Sequence, residues 1–393
     1  MNSFTFYMPT RVIFGAGKLA ELATTPHFPW KKALLVVGRG GSARRTGTLD
    51  RVRALLASRG VEVVVYDQVR PNPEAAQVEE AAGLARAEAC DVVIGLGGGS
   101  AIDSAKSIAM LAKNPGRYWD YMMSGTGGRR RPAGALPIVA ITTTAGTGTE
   151  ADPWTVVTNP ETREKIGWGC DATFPALSIV DPELMVTLPP KQTAYTGMDA
   201  LFHSVEAYLA TCHQPASDLL ALEAVGLIAK WLPVAVADGA NLEARTALAW
   251  ANTAAGICES LSSCISHHSL EHAVSAFYPQ VPHGAGLTML SVAYFSDVAE
   301  RNPARFADLA AAMGEDVAAL AEARRPFAFI TALEKLIAGA GLADETLSGY
   351  GVQEADVPAL AANALSAMGG IFACTPVKQG QADVERIFRR AYR

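Results

Sequence analysis

The chain has 393 residues, half of them hydrophobic and only 18% charged, with a formal net charge of −6. This excludes a disordered chain, which couples low hydrophobicity to high net charge. The acidic balance also gives a polyanionic partner no basic surface to read, and the length suits two to three domains with a large core.

No run is expected to supply the ~18 apolar residues of a membrane span. The opening MNSFTFYMPTR lacks the basic-then-apolar order of a signal peptide. Six scattered cysteines without a C-x-x-C pair read as reduced thiols, so a cytoplasmic protein is expected.

The first half alternates short β-branched runs with segments of helical composition. The runs are 33–37, 61–66, 91–96 and 136–141, and the helical segments are 48–60, 73–89 and 100–113. Runs this short and continuously apolar predict strands buried on both faces of a parallel sheet. Two further runs, 154–159 and 176–181, are expected to extend it. After Leu188-Pro189-Pro190 the sequence becomes alanine- and leucine-rich with helical periodicity. The expected architecture is therefore α/β followed by all-α. Residues 1–185 form a Rossmann-like parallel-sheet domain that binds a cofactor, and residues 186–393 form a helical, metal-binding domain.

Three loops at strand ends carry the cofactor reading. After 33–37 comes Gly38-Arg39-Gly40-Gly41-Ser42-Ala43-Arg44-Arg45, with no acid before Asp50 to bind a ribose 2′-hydroxyl. Its arginines read equally as an exposed helix start. After 91–96 come Gly97, Gly98, Gly99 and Ser100, where backbone N–H groups and a helix amino end can hold a diphosphate. Ser100 is expected to cap that helix, with Asp103 in its first turn. After 136–141 comes TTTAGTGTE, with Thr142, Thr143 and Thr147 at the mouth of the same crevice.

Four of the seven histidines fall between 267 and 283. Asp199 and His203 lie four apart in a helical stretch and so share one face. His268 and His272 repeat that spacing, and His283 follows a turn at Pro279. His267 competes with His268, but only His268 keeps the four-residue step to His272. One aspartate with two or three histidines suits a divalent iron or zinc ion.

Taken together, FTFYMPTRVIFGAG, GLGGGSAIDSAK, TTAGTGTE, IVDPEL, GMDALFHSVEAY and HSLEHAVSAFYPQVPHGAGL resemble the iron-containing alcohol dehydrogenases, in particular their butanol-dehydrogenase-like branch, over nearly the whole chain. The resemblance implies the dehydroquinate-synthase-like fold with the active cleft between two domains. It implies a metal held by Asp199, His203, His268 and His283, a proton-relay or positioning role for His272, and Lys165 near the nicotinamide ribose. It also implies a homodimer or larger homo-oligomer. The Gly-Arg-Gly-Gly-Ser loop resembles NADP-dependent members, so NADP(H) is expected ahead of NAD(H). The implied activity is metal-dependent hydride transfer between a small alcohol or aldehyde and the nicotinamide. A glycerol-dehydrogenase-like polyol enzyme and a dehydroquinate-synthase-like lyase are the alternatives on the same fold.

Overall fold

The β-branched runs of the first half become strands covered on both faces, which is why their sequences do not alternate. A computed structural model describes residues 3–393. The chain groups into two compact units, one of residues 8–187, the other of residues 188–393 with the described residues ahead of Met8.

The first unit contains β1 (Arg11–Phe14), β2 (Lys32–Gly38), β3 (Glu62–Val69), β4 (Val92–Gly97), β5 (Ile138–Thr142), β6 (Thr155–Asn159), β7 (Glu164–Trp168) and β8 (Leu177–Val180). Its helices are α1 (Ser42–Arg45), α2 (Thr48–Ser58), α3 (Ala75–Ala87) and α4 (Gly99–Lys113). Six strands form a sheet in the order β1-β8-β5-β4-β2-β3, every neighbour pair parallel. Alternate residues such as Leu35, Val37, Ile94, Leu96, Ile141 and Ile179 pack in one core with Leu49, Val52 and Leu56 of α2. On the other face Gly95 leaves no room for a side chain, because a Cβ there would lie 2.8 Å from Ile102 Cα of α4.

From β2 the chain moves outward to β3, then returns to β4 on the opposite side of β2. The order reverses there, so the carboxyl ends of β2 and β4 frame the crevice where open α/β sheets bind ligands.

Two expectations need correction. The 154–159 run does not extend the sheet: β6 pairs antiparallel with β7 in a separate hairpin, Thr155 opposite Trp168. Its partner β7 (EKIGW) mixes charged and apolar residues and was not recognisable as a strand. The sheet instead gains β1, a four-residue edge strand beside β8.

The second unit contains α5 (Pro190–Leu209), α6 (Pro215–Ala237), α7 (Leu242–Leu261), α8 (Ser266–Phe277), α9 (His283–Arg301), α10 (Phe306–Ala312), α11 (Arg325–Gly339), α12 (Val357–Ala367) and α13 (Gln381–Ala391). Here the expectation about membrane spans fails for α6, which is long and apolar enough by length and composition, with mean hydropathy 1.8. Its buried residues Ala221, Ala224, Val225, Ile228 and Leu232 nevertheless follow the spacing of a helix packed along one face. Gly197 of α5 meets that face so closely that a Cβ would sit 2.3 Å from Leu232 Cδ1.

Candidate metal centre and nucleotide loops

In the α/β unit, Gly97, Gly98, Gly99 and Ser100 are half-buried at the end of β4. Gly97 has φ +152, a conformation in which side chains are strained. The helix begins one residue earlier than expected. Gly98 occupies the N-cap without a side-chain cap, and Ser100 lies inside the first turn. The first N–H groups of α4 therefore remain available to an anion. The glycines also let two loops meet. A Cβ on Gly98 would lie 2.8 Å from Thr144 Oγ1, and one on Gly99 2.6 Å from Thr147 Cγ2. Thr143 N donates to Gly97 O at 2.9 Å, and Thr142 Oγ1 turns inward to Thr144 O at 3.0 Å.

Asp103 lies beyond the first turn and is buried. Its Oδ1 accepts from Thr149 Oγ1 at 2.7 Å and its Oδ2 from Val156 N at 2.9 Å. Thr149 in turn accepts from Lys106 Nζ at 2.6 Å, and Lys106, fully buried, also reaches Asp152 Oδ1 at 2.9 Å and the carbonyls of Asp152 and Trp154. This closed network fastens the third loop to α4. Lys106 and Asp152 gave no sequence signal, because a lysine inside a helix and an acid in a loop both read as solvated charges. Lys165, which in isolation reads the same way, is buried on β7.

The loop after β2 holds Gly38, Gly40, Gly41 and Ser42, with Gly41 at φ +70 and Ser42 opening α1. Arg39 N donates to Val69 O at 2.7 Å, which ties the loop to the end of β3. There Asp67 accepts from Arg44 at 2.6 Å and from Gln68 at 2.6 Å, contacts that hold its carboxyl below its usual range. An acid thus does lie beside this loop. Sequence inspection missed it because it arrives from the neighbouring strand.

In the helical unit, Asp199 and His203 project from α5, His268 and His272 from α8, and His283 is the first residue of α9. Gly284 makes the last approach possible: a Cβ there would lie 2.1 Å from Tyr195 O, one turn before Asp199 on α5. The Nε2 atoms of His203, His283 and His268 stand 3.3, 3.5 and 3.6 Å from a single oxygen, Asp199 Oδ1. Asp199 Oδ1 and His268 Nε2 are buried without a hydrogen bond. A tetrahedral centre with bonds of about 2.1 Å separates its ligands by roughly 3.4 Å, which matches each of the three distances to Asp199 Oδ1.

Each of these imidazoles presents its other nitrogen to a glutamate. His203 Nδ1 lies 3.0 Å from Glu259 Oε2, His268 Nδ1 lies 2.6 Å from Glu206 Oε1, and His283 Nδ1 bonds Glu271 Oε2. Carboxylate–imidazole pairs of this kind fix the tautomer and aim Nε2 at a metal. Burial pushes the Asp199 carboxyl up, but His283 and His203 outweigh it and hold it well below the usual range. Glu206, likewise opposed by burial, is drawn down to about 2 by His268 and His267. Against the effect of burial, Glu259, Cys264 and Asp199 raise His203, and Cys264 and Glu206 raise His268, well above an ordinary histidine.

His267 is turned elsewhere, its Nδ1 2.7 Å from Glu206 Oε1 and its Nε2 3.0 Å from Leu287 O, so it is a hydrogen-bonded core residue. His272 is buried beside the cluster, its ring centroid 5.5 Å from that of His283. The glutamates were invisible beforehand, since each lies on a helix where a carboxylate reads as a solvent-facing charge.

Residues 9–182 match the family model for iron-containing alcohol dehydrogenase, and residues 193–392 match the C-terminal model of the same family. A 1,3-propanediol dehydrogenase from Klebsiella pneumoniae is 37% identical over 99% of each chain. An NAD-dependent methanol dehydrogenase from Bacillus methanolicus is 36% identical over 91% of this chain and 92% of that one. Among solved structures, an archaeal halo-thermophilic alcohol dehydrogenase from a Red Sea brine pool aligns with TM-score 0.93 at 34% identity, over 99% of both chains.

Proposed function

The chain belongs to the iron-containing alcohol dehydrogenase family, and on that premise we propose that Asp199, His203, His268 and His283 hold its metal and that the loops after β2, β4 and β5 hold NADP(H). It is an oxidoreductase of the alcohol dehydrogenase class. The family match leaves the lyase and glycerol-type alternatives without support. The observation that carries the metal assignment is the convergence of three imidazole nitrogens on one buried carboxylate oxygen at 3.3–3.6 Å.

When bound, the metal supplies Lewis acidity to polarise a C–O bond, and the nicotinamide carries the hydride. The chain's own groups do the rest. Glu206, Glu259 and Glu271 keep the Nδ1 protons of the three histidines and leave Nε2 facing inward. Asp199 contributes the single anionic ligand. His272 takes up the alcohol proton in oxidation and returns it in reduction. Gly97, Gly98, Gly99 and Ser100 offer backbone N–H groups to the diphosphate, with Thr142, Thr143 and Thr147 lining the same end of the sheet. Asp103 acts indirectly, by holding Thr149 and the β6 backbone in place, and Lys165 is assigned to the nicotinamide ribose.

Gly38, Gly40, Gly41 and Ser42 receive the adenosine ribose. Arg39 and Arg44 favour its 2′-phosphate, and so NADP(H), although relatives include proteins named as NAD- and NADH-dependent. Several relatives are named for propanediol, methanol and butanol, which supports a short primary alcohol and its aldehyde as substrate. A cytoplasmic homodimer or larger homo-oligomer completes the reading. The exposed aromatic side chains of Phe4, Phe6 and Tyr7 offer a surface that a second copy would cover.

A panel of aldehydes and alcohols run with NADPH and NADH, on anaerobically purified protein of known metal content, tests this function. Turnover of short primary aldehydes with NADPH preferred is expected. Activity with NADH alone would overturn the cofactor assignment, and no turnover at full metal content would overturn the activity. In the same assay His272→Ala should lower turnover about 100-fold and change its pH profile. An unchanged profile would remove the proton role.

A further inference from the structure

Two cysteines that the proposed chemistry does not use meet in the helical unit. Cys212 is exposed just after α5, and Cys374 is half-buried at the end of a short helical turn, Gly369–Cys374. Their segments run side by side: Thr211 N donates to Cys374 O at 2.8 Å, and Thr211 Oγ1 to Ala373 O at 3.5 Å. This pairing brings the two thiols into mutual interaction, and Cys212 Sγ also lies 4.0 Å from Ser262 Oγ. Cys90, Cys258 and Cys264, by contrast, are buried.

We propose that Cys212 and Cys374 form a redox-active dithiol, which a low-molecular-weight disulfide such as glutathione disulfide converts to an intramolecular disulfide. Interaction with Cys212, opposed by burial and helped by Ser263, pulls the Cys374 thiol down to about 6, and the same interaction together with burial pushes the Cys212 thiol up. Cys374 is therefore assigned the attacking role, since the thiolate is the form that attacks disulfides. Its sulfur displaces one glutathione thiolate, which takes a proton from solvent, and leaves a mixed disulfide. Cys212 then gives up its proton, and its sulfur attacks Cys374 and releases the second glutathione. Two cysteine thiols are oxidised, and one glutathione disulfide is reduced to two thiols.

The bond would join the chain leaving α5 to the chain entering Thr375. Thr375 Oγ1 accepts from Ser266 N at 3.0 Å and so caps α8. The dithiol thus links the ends of the two helices that carry Asp199, His203, His268 and His272, without touching a candidate ligand.

The test treats reduced, metal-loaded protein with glutathione disulfide, then maps linked peptides by mass spectrometry. A Cys212–Cys374 peptide that has lost two hydrogen atoms is expected, and dithiothreitol should reverse it. Cys212→Ser should stop at a single glutathione on Cys374. Cys374→Ser should react at position 212 about tenfold more slowly than wild type reacts at 374. Recovery of both cysteines in alkylated form after oxidant would overturn the proposal, as would equal reaction rates of the two single variants.

Discussion

Two buried charged clusters, one in each unit, differ in how they close. In the α/β unit Lys106 sits among Thr149, Asp152 and the Trp154 carbonyl, with four acceptors within 2.9 Å. Asp103 has both oxygens occupied as well. In the helical unit Asp199, His203, His268 and His283 are just as buried or nearly so, yet Asp199 Oδ1 and His268 Nε2 are buried without a hydrogen bond while the outward nitrogens of the three histidines are held by glutamates. Burying a charge is tolerable only when it is paired. The first cluster is complete within the protein and does structural work, whereas the second is the one we propose a cation completes. Buried charge alone therefore does not mark a reaction centre here. The convergence of three imidazole nitrogens on one buried carboxylate oxygen is what points to one.

The comparison breaks most visibly at Asp199. Asp199→Ala should abolish stoichiometric metal and lower turnover by about 10⁴-fold or more, the scale on which a positioned metal acts, while the fold persists by circular dichroism. Retained metal would place the ion elsewhere. Lys106→Met leaves Asp152 buried without its cation. It should cost about 3–5 kcal/mol of stability in denaturant titration with metal content unchanged. If stability held, the Lys106 network would not be the structural counterpart described above.

Glu206→Gln keeps shape but loses the charge that orients His268, so chelator competition should report metal affinity about 10–100-fold weaker. Unchanged affinity would reduce Glu206 to a packing residue. Arg44→Ala has the smallest expected effect. Exposed ion pairs are worth about 1 kcal/mol, so KM for NADPH should rise about fivefold with KM for NADH nearly constant. An equal change for both would show that Arg44 does not read the 2′-phosphate.

What the sequence disclosed follows the same division. Strands β2, β4 and β5 were legible because double-sided burial writes continuous β-branched runs. β7 was not, because it buries Glu164 and Lys165 along with Ile166 and Trp168, and buried charges read as solvated ones in a sequence. The histidine cluster was legible because i, i+4 spacing puts two polar side chains on one helix face. The choice of His268 over His267 rested on that spacing, and the structure turns His267 to Glu206 and Leu287 instead. The glutamates behind the ligands, and Asp67 beside the nucleotide loop, could not be found this way. Each reaches its partner from another helix or strand, and long-range pairing leaves no local pattern. The glycine loop was legible as a site, but part of the reason for its glycines was not, since Gly98 and Gly99 are small against Thr144 and Thr147 as well as toward a ligand.

The central claim, that one metal held by Asp199 and three histidines makes this chain an alcohol dehydrogenase, is tested most directly by titrating metal-free protein with Fe²⁺ under anaerobic conditions while following NADPH oxidation by a short aldehyde. The account predicts that turnover rises in proportion to bound metal and saturates at one ion per chain, with Asp199→Ala flat throughout. Full turnover before any metal is added, or a normal titration by Asp199→Ala, would contradict it.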